Sequence, residues 1–124
     1  MSELPRPEAT PAVVLSISDG IATITLNQPE RRNPMSPELM ALHPQVLTEI
    51  QSDPQVRCVI VTGAGRSFSA GADFRTLAGL VSETGIDGVA GIHAGIQQLY
   101  AAFLPLGELQ VPTIAAINGA AVGG

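Results

Sequence analysis

The sequence predicts an α/β domain, because of the order of its segments and the apolar character of two of them. Strand-like and helical patterns alternate in the order β-hairpin, helix, strand, loop, helix, strand. Two short segments, residues 57–62 and 111–116, have the composition of strands that are covered on both faces. With 124 residues, 45% of them hydrophobic, the chain is long enough to bury one core.

The N-terminal part predicts a lead-in followed by a β-hairpin. Residues 1–11 contain three prolines among polar residues and predict a flexible, extended segment. Residues 13–18 and 21–27 are rich in residues that favour strands. Asp19 and Gly20 lie between them and favour a two-residue hairpin turn.

The next segment predicts a loop and then a helix with a defined start. Residues 28–35 contain two prolines, which keep the residues before them out of the helical conformation. Ser36 fits a helix N-cap and Pro37 the first helical position. Four apolar residues and one histidine follow at helical spacing: Leu39, His43, Val46, Leu47 and Ile50. Pro44 costs a helix interior roughly 3 kcal/mol, so we expect a kink or a break near His43.

The C-terminal part predicts a second helix and a final strand. Residues 86–106 have helical spacing that ends at Pro105, carried by Val89, Ile92, Ile96, Leu99, Tyr100 and Phe103. Residues 77–88 have no regular pattern. The final strand, 111–116, runs into the glycine-rich residues 118–124.

Composition and charge exclude several classes of partner. The chain has six arginines, no lysine and eleven acidic residues, which give a net charge of -5. Aromatic residues make up only 3% of the chain. The negative charge and the low aromatic content both disfavour a nucleic-acid partner. The single cysteine, Cys58, cannot form an internal disulfide, and no metal site is expected. No segment has the pattern of a signal peptide or the length of a membrane span. We therefore expect a cytoplasmic protein without a membrane partner.

Motifs for nucleotide binding and nucleophilic catalysis are missing. Gly63 and Gly65 lack the third glycine of a dinucleotide-binding loop, and no P-loop follows. Ser69 lacks one flanking glycine of a nucleophile elbow. His43 and His93 lie on helix-like segments without an acidic partner, so we expect structural or surface roles for them.

Two glycine-bearing segments, residues 68–73 and 118–124, each follow a predicted strand. Ligands collect at strand ends in α/β sheets, and small residues let a ligand approach main-chain N–H groups. Side by side, the two segments would offer two N–H donors to one oxygen atom. The alternative is that the glycines serve tight turns and close packing of helices on strands.

The order and spacing of six motifs resemble the N-terminal half of the enoyl-CoA hydratase/isomerase (crotonase) family. The motifs are NQPERRN at 27–33, SPEL at 36–39, VIVTG at 59–63, FSAGADF at 68–74, PTIAAING at 112–119 and AVGG at 121–124. The resemblance implies a crotonase-like (ClpP/crotonase) spiral of ββα units, incomplete at its C-terminus. Residues 12–124 are then the N-terminal part of an acyl-CoA-binding domain.

The resemblance also implies site residues. The catalytic groups are two main-chain N–H groups, those of Ala72 and Gly124, which form an oxyanion hole for the thioester oxygen as it becomes an enolate. Solvent exposure is the alternative for the two loop arginines, and capping of a turn is the alternative for Asp73. The residues implied to contact coenzyme A are Arg31, Arg32, Asn33, Ala70, Asp73, Phe74 and Arg75.

The activity implied by the resemblance is enoyl-CoA hydration, the addition of water to a 2-enoyl-CoA. Coenzyme A enters as part of the acyl-CoA thioester substrate, so no separate cofactor is expected, and family members form homotrimers or hexamers. The catalytic carboxylates of hydratases follow position 124, so we expect this chain alone to be inactive. The alternatives are an enoyl-CoA isomerase or another crotonase-type enzyme, and a non-catalytic acyl-CoA-binding paralogue.

Overall fold

A computed structural model describes residues 10–73, 75 and 88–123, so most of the predicted lead-in and the segment 76–87 lie outside the described residues. The architecture is mixed α/β, as predicted. Two 3-10 turns occupy Pro29–Arg31 and Leu104–Glu108. In chain order the strands and helices are β1 (Val13–Ser18), β2 (Ile21–Leu26), β3 (Pro34–Met35), α1 (Pro37–Ser52), β4 (Cys58–Gly63), β5 (Ser67–Ser69), β6 (Gly71–Ala72), α2 (Gly88–Phe103), β7 (Thr113–Ala116) and β8 (Ala120–Ala121).

The main sheet has the strand order β1, β2, β4, β7. β1 and β2 form the predicted antiparallel hairpin, and β4 and β7 extend the sheet with parallel pairings. The hairpin turn is made by Asp19 and Gly20, whose φ angles are 53° and 80°. Positive φ at both turn residues matches the right-handed twist of the flanking strands.

One face of the main sheet is buried by α1. Ile24 of β2 and Val59 of β4 have no exposed surface, and they share a core with Leu39 and Ile50 of α1. On the opposite face of β4, Cys58 and Ile60 alternate with the core residues and are partly exposed. The residues of one strand therefore alternate between core and surface, as in a sheet covered on one side.

The prediction that residues 57–62 and 111–116 form strands covered on both faces is wrong for the described part of the chain. β4 is covered by helices on one face, and all four residues of β7 are exposed, with Ile114 at 54%. β7 forms an edge of the described sheet, where β4 is its neighbour. The apolar pattern correctly predicts a strand, but burial depends on neighbours that a local pattern does not specify.

Of the predicted kink or break near His43, the break does not occur, since α1 is one continuous helix with Pro44 inside it. Its start is as predicted, because the Ser36 hydroxyl accepts a hydrogen bond from the Leu39 N–H at 3.2 Å. The cost of Pro44 is offset by the buried face of α1, formed by Leu39, His43, Val46, Leu47 and Ile50.

α2 packs on α1 partly through large side chains, since Phe103 stacks on the His43 ring and Leu99 is 8% exposed. Gly91 and Gly95 are buried, whereas Val89 is 83% and Ile96 40% exposed. The predicted helix is confirmed within Gly88–Phe103, and of the residues that carry its spacing Leu99 is buried whereas Val89, Ile92, Ile96 and Tyr100 are exposed. Residues without a large side chain let two helices approach closely. Within the described residues, neither helix has the length and apolar character needed to cross a membrane.

Candidate functional site

The loop between β2 and α1 is organised by the buried carboxamide of Asn33. This residue has no exposed surface and a φ of 52°, in the left-handed region that asparagine tolerates better than most residues. Its Oδ1 accepts a hydrogen bond from the Gln28 N–H at 2.8 Å. Its Nδ2 donates to the carbonyl oxygens of Ala64 and Ser67, each at 3.0 Å. Asn33 therefore joins this loop to the segment that follows β4.

The first glycine-bearing segment is fixed by Ser69 and Gly71. The Ser69 hydroxyl donates to the Asn33 carbonyl at 2.9 Å and accepts from the Gly71 N–H at 3.1 Å. Gly71 has a φ of 82°, and a Cβ atom there would lie 2.1 Å from the Val122 carbonyl oxygen. Both the backbone conformation and the available space therefore require glycine at position 71.

The second glycine-bearing segment lies beside the first, because β5 pairs with β8 in parallel. Asn118 joins this segment to the end of β4: its Oδ1 accepts from the Gly63 N–H at 3.1 Å and its Nδ2 donates to the Gly65 carbonyl at 3.0 Å. A Cβ atom at Gly119 would lie 1.9 Å from the Arg66 carbonyl oxygen. The segments are thus adjacent, and Gly71 and Gly119 have the close-packing role that was the alternative to ligand binding.

The register of β3 and β6 sets the direction of the Ala72 N–H. Pro34 pairs with Gly71 and Met35 with Ala72 in parallel. Pro34 has no N–H, so in this register the N–H of β3 that can donate to β6 is that of Met35. Its acceptor in the parallel pairing is the Gly71 carbonyl. All described peptide bonds are trans, and in a trans peptide the C=O and N–H groups point in opposite directions. The N–H of Ala72 therefore points away from β3.

Ala72 lies at a cavity of about 450 Å³ that also contains two arginines. Arg31 donates from Nη2 to Asp73 Oδ2 at 3.0 Å, and the Arg75 N–H donates to Asp73 Oδ1 at 3.1 Å. The Asp73 side chain is 9% exposed and that of Arg31 is 38% exposed. The buried carboxylate thus holds a partly exposed guanidinium at the cavity wall. The lining residues are Arg31, Pro34, Ala70, Ala72, Asp73 and Arg75.

The cavity brings together five residues from the sequence prediction: Arg31, Ala70, Ala72, Asp73 and Arg75. The other four lie elsewhere or are not described. Arg32 is exposed, and its carbonyl oxygen accepts a hydrogen bond from the Ala70 N–H at 2.8 Å. The Asn33 side chain is buried in the loop network. Phe74 and Gly124 lie outside the described residues.

Two residues of the site were not predicted from the sequence: Pro34, which lines the cavity, and Ser69, whose hydroxyl holds the turn at Gly71. The signal for Ser69 was available, since a serine two residues before a glycine often bonds the N–H of that glycine in a turn. Pro34 gave no such signal, because its place at the cavity results from pairing with a distant strand.

The histidines have the structural and surface positions that the sequence predicts. His43 is fully buried, and its Nδ1 lies 2.8 Å from the Ala102 carbonyl at the end of α2. Its ring stacks on Phe103 with centroids 4.4 Å apart. Burial lowers the pKa of His43 below 6.5, and the hydrogen bond to Ala102 opposes this shift. His93 is exposed. Among the described residues, no three His, Cys, Asp or Glu side chains form a possible metal site.

Comparison with known proteins gives a consistent result. The model of the family described as enoyl-CoA hydratase/isomerase matches residues 16–124. A protein of Mycobacterium tuberculosis named probable enoyl-CoA hydratase is 39% identical over 111 residues, covering 90% of this chain and 41% of the relative. The 1,2-epoxyphenylacetyl-CoA isomerase of Escherichia coli is 34% identical over 112 residues, again covering 90% of this chain and 41% of the relative.

Solved structures have the same fold over the described elements. The crystal structure of a probable enoyl-CoA hydratase/isomerase from Mycobacterium abscessus superposes with a TM-score of 0.71 at 36% identity, covering 90% of this chain and 41% of that one. The described elements are therefore the N-terminal part of the crotonase fold, and the chain spans about two fifths of the length of the relatives it matches. The chain belongs to the enoyl-CoA hydratase/isomerase family.

Proposed function

We propose that the protein acts on acyl-CoA thioesters and that its reaction is the hydration of a 2-enoyl-CoA. The observation that carries this proposal is the cavity in which Ala72 and the side chains of Arg31 and Arg75 lie together. A coenzyme A thioester presents a carbonyl that gains negative charge during reaction, and phosphates that are already negative. The small residues of the cavity let the thioester carbonyl approach the main chain, and its guanidinium groups can bind the phosphates.

In the proposed mechanism the Ala72 N–H donates a hydrogen bond to the thioester oxygen. A fixed donor that points at a developing oxyanion is typically worth about 3 to 4 kcal/mol of transition-state stabilisation. The register of β3 and β6 directs this N–H away from β3, and the network of Ser69 and Asn33 fixes the segment that carries it. The second donor in the proposal is the Gly124 N–H, which rests on the family resemblance.

The two arginines bind phosphate groups of coenzyme A in this proposal. Arg31 has five N–H donors, so its bond to Asp73 leaves others for an anion. Arg75 follows Asp73 by two residues and is exposed. On a chain with a net charge of -5, local arginines are needed to attract an anionic substrate.

Asp73 is not assigned as the acid or base, because it is paired with Arg31 and bonded to the Arg75 N–H. The acid and base carboxylates are instead proposed to come from the part of the full-length protein that corresponds to the remaining length of the relatives. No cofactor is proposed, since coenzyme A enters with the substrate.

Isomerisation of an enoyl-CoA is the second candidate, because one relative is named an acyl-CoA isomerase and is 34% identical. Both reactions use a thioester enolate, so the described cavity serves either. A third candidate, acyl-CoA binding without catalysis, needs the same cavity and no acid or base.

A substrate comparison on the full-length gene product separates these candidates. Hydration predicts that 2-butenoyl-CoA loses the absorbance of its conjugated thioester, with 3-hydroxybutanoyl-CoA as product. Isomerisation predicts that 3-enoyl-CoA gains this absorbance, and binding alone predicts neither change but saturable binding of acyl-CoA. Absence of both turnover and binding would contradict the whole proposal.

A further inference from the structure

The hydroxyl of Ser69 joins the loop after β2 to the turn that precedes Ala72. Ser69 is 6% exposed. Its Oγ donates to the Asn33 carbonyl at 2.9 Å and accepts from the Gly71 N–H at 3.1 Å. Its own carbonyl accepts from the Val122 N–H at 3.0 Å, on the side of β8. Ser69 is thus bonded to three separate parts of the main chain.

The turn is held on both sides of Gly71, by the Ser69 hydroxyl on the side before it and by the pairing of β6 with β3 on the side after it. Gly71 has a φ of 82°, and glycine has access to more backbone conformations than any other residue. The peptide that follows Gly71 carries the Ala72 N–H. The direction of this N–H depends on the orientation of the peptide before Gly71 as well as on the Gly71 dihedrals, and the hydrogen bond from the Gly71 N–H to Ser69 Oγ fixes that preceding peptide.

We propose that Ser69 is a positioning residue that, together with the pairing of β6 and β3, fixes the direction of the Ala72 N–H. The proposal rests on the proposed function, in which this N–H donates to the thioester oxygen. Ser69 acts through Gly71 and is not a nucleophile, because its proton is donated to a main-chain carbonyl rather than to a base. Preorganised donors stabilise a transition state because no reorientation is needed during the reaction.

The first test compares Ser69→Ala with Ser67→Ala in the full-length gene product. Ser67 lies on the same strand, and it enters the network through its carbonyl, which alanine retains. We expect Ser69→Ala to lower kcat for 2-butenoyl-CoA about tenfold, the equivalent of one hydrogen bond, with KM changed less than twofold. Ser67→Ala is expected to leave both constants unchanged.

The second test measures the absorption of a bound conjugated thioester, 4-(dimethylamino)cinnamoyl-CoA. Polarisation of its carbonyl by the oxyanion donors moves the absorption band to the red. We expect the full shift in the unmodified protein and in Ser67→Ala, and a smaller shift in Ser69→Ala. Ser69→Cys keeps a weak donor and acceptor, so an intermediate shift is expected, and this variant replaces Ser69→Ala if the alanine variant does not fold.

The outcomes separate this inference from the proposed function. A shift in Ser69→Ala or Ser69→Cys equal to that of the unmodified protein would overturn the inference, as would a lower melting temperature with kcat unchanged. Absence of any shift and of any acyl-CoA binding in the unmodified protein would instead contradict the proposed function.

Discussion

At the scale of single residues, the candidate site depends on small polar side chains that bond to the main chain. Asn33 satisfies one N–H and two carbonyl groups of neighbouring turns, and Asn118 makes the corresponding connection for the second glycine-bearing segment. Leaving the polar groups of the buried Asn33 carboxamide unpaired costs about 1 to 3 kcal/mol each. These two amides therefore determine the shape of the site without contacting a ligand.

The arginines of the cavity give a prediction about substrate affinity. Arg75→Ala removes an exposed guanidinium that, in our proposal, contacts phosphate in both the ground state and the transition state. We expect KM for an acyl-CoA substrate to rise roughly fivefold with kcat unchanged, as for loss of uniform binding. Arg57→Ala is the matched control, because Arg57 precedes β4 and bonds near the hairpin turn. An equal rise in KM in both variants would contradict a local role for Arg75.

His43 gives a prediction about the pH dependence of stability. Burial lowers its pKa in the folded protein below the value of 6.5 that applies when the chain is unfolded. Between these two pKa values the unfolded chain binds more protons, so the free energy of unfolding falls as the pH is lowered through and below 6.5. His43→Phe should remove part of this dependence in urea titrations, and His93→Gln, at an exposed position, should not. Identical pH profiles for His43→Phe and the unmodified protein would contradict this account.

Residue roles were only partly predictable from the sequence. The cavity contains Ala72 and four of the predicted coenzyme A contacts, because those residues are close in sequence or follow a strand end. Asn33 was expected to contact coenzyme A, but its carboxamide is directed into the loop network. A single sequence does not separate these roles, since a buried asparagine and a ligand-binding one are the same residue type.

At the scale of elements, local chemistry accounts for the hairpin and for the start of α1. The Asp19-Gly20 turn and the Ser36 cap each depend on residues within a few positions of one another. The two-residue strands β3, β6 and β8 could not be predicted, because they exist only through pairing with distant segments. The unbroken course of α1 was also missed, since packing of its buried face outweighs the local effect of Pro44.

Pro44 gives a prediction about the stability of α1. Alanine at this position restores a main-chain N–H and removes the clash of the proline ring with the preceding turn. The greater entropy of the unfolded chain offsets part of this gain, so we expect Pro44→Ala to raise the free energy of unfolding by about 1 to 2 kcal/mol. Pro37→Ala is the control, because proline is well tolerated at the first helical position. A loss of stability in Pro44→Ala, measured by urea titration, would contradict this explanation.

At the scale of the whole molecule, large apolar residues remain exposed on several described elements, α2 and β7 among them. Val89, Ile96 and Tyr100 on α2 and Ile114 on β7 are each at least 40% exposed. The α/β class was predictable from periodicity, which reports local conformation. This exposure was not, because it depends on which elements pack against each strand and helix.

We predict that the full-length gene product is a homotrimer or a hexamer. This expectation comes from the family resemblance. Sedimentation equilibrium over a range of protein concentrations measures the assembly directly. A monomer with full catalytic activity would contradict the prediction.

In the proposed function, the main-chain N–H of Ala72 stabilises the enolate of a bound thioester. The most direct measurement is turnover of 2-butenoyl-CoA by Ala72→Pro in the full-length protein, with circular dichroism and acyl-CoA binding measured on the same sample. Because proline removes this one donor, the account predicts a loss of kcat of at least a hundredfold in a folded protein that still binds acyl-CoA. Unchanged turnover in the folded variant would contradict it.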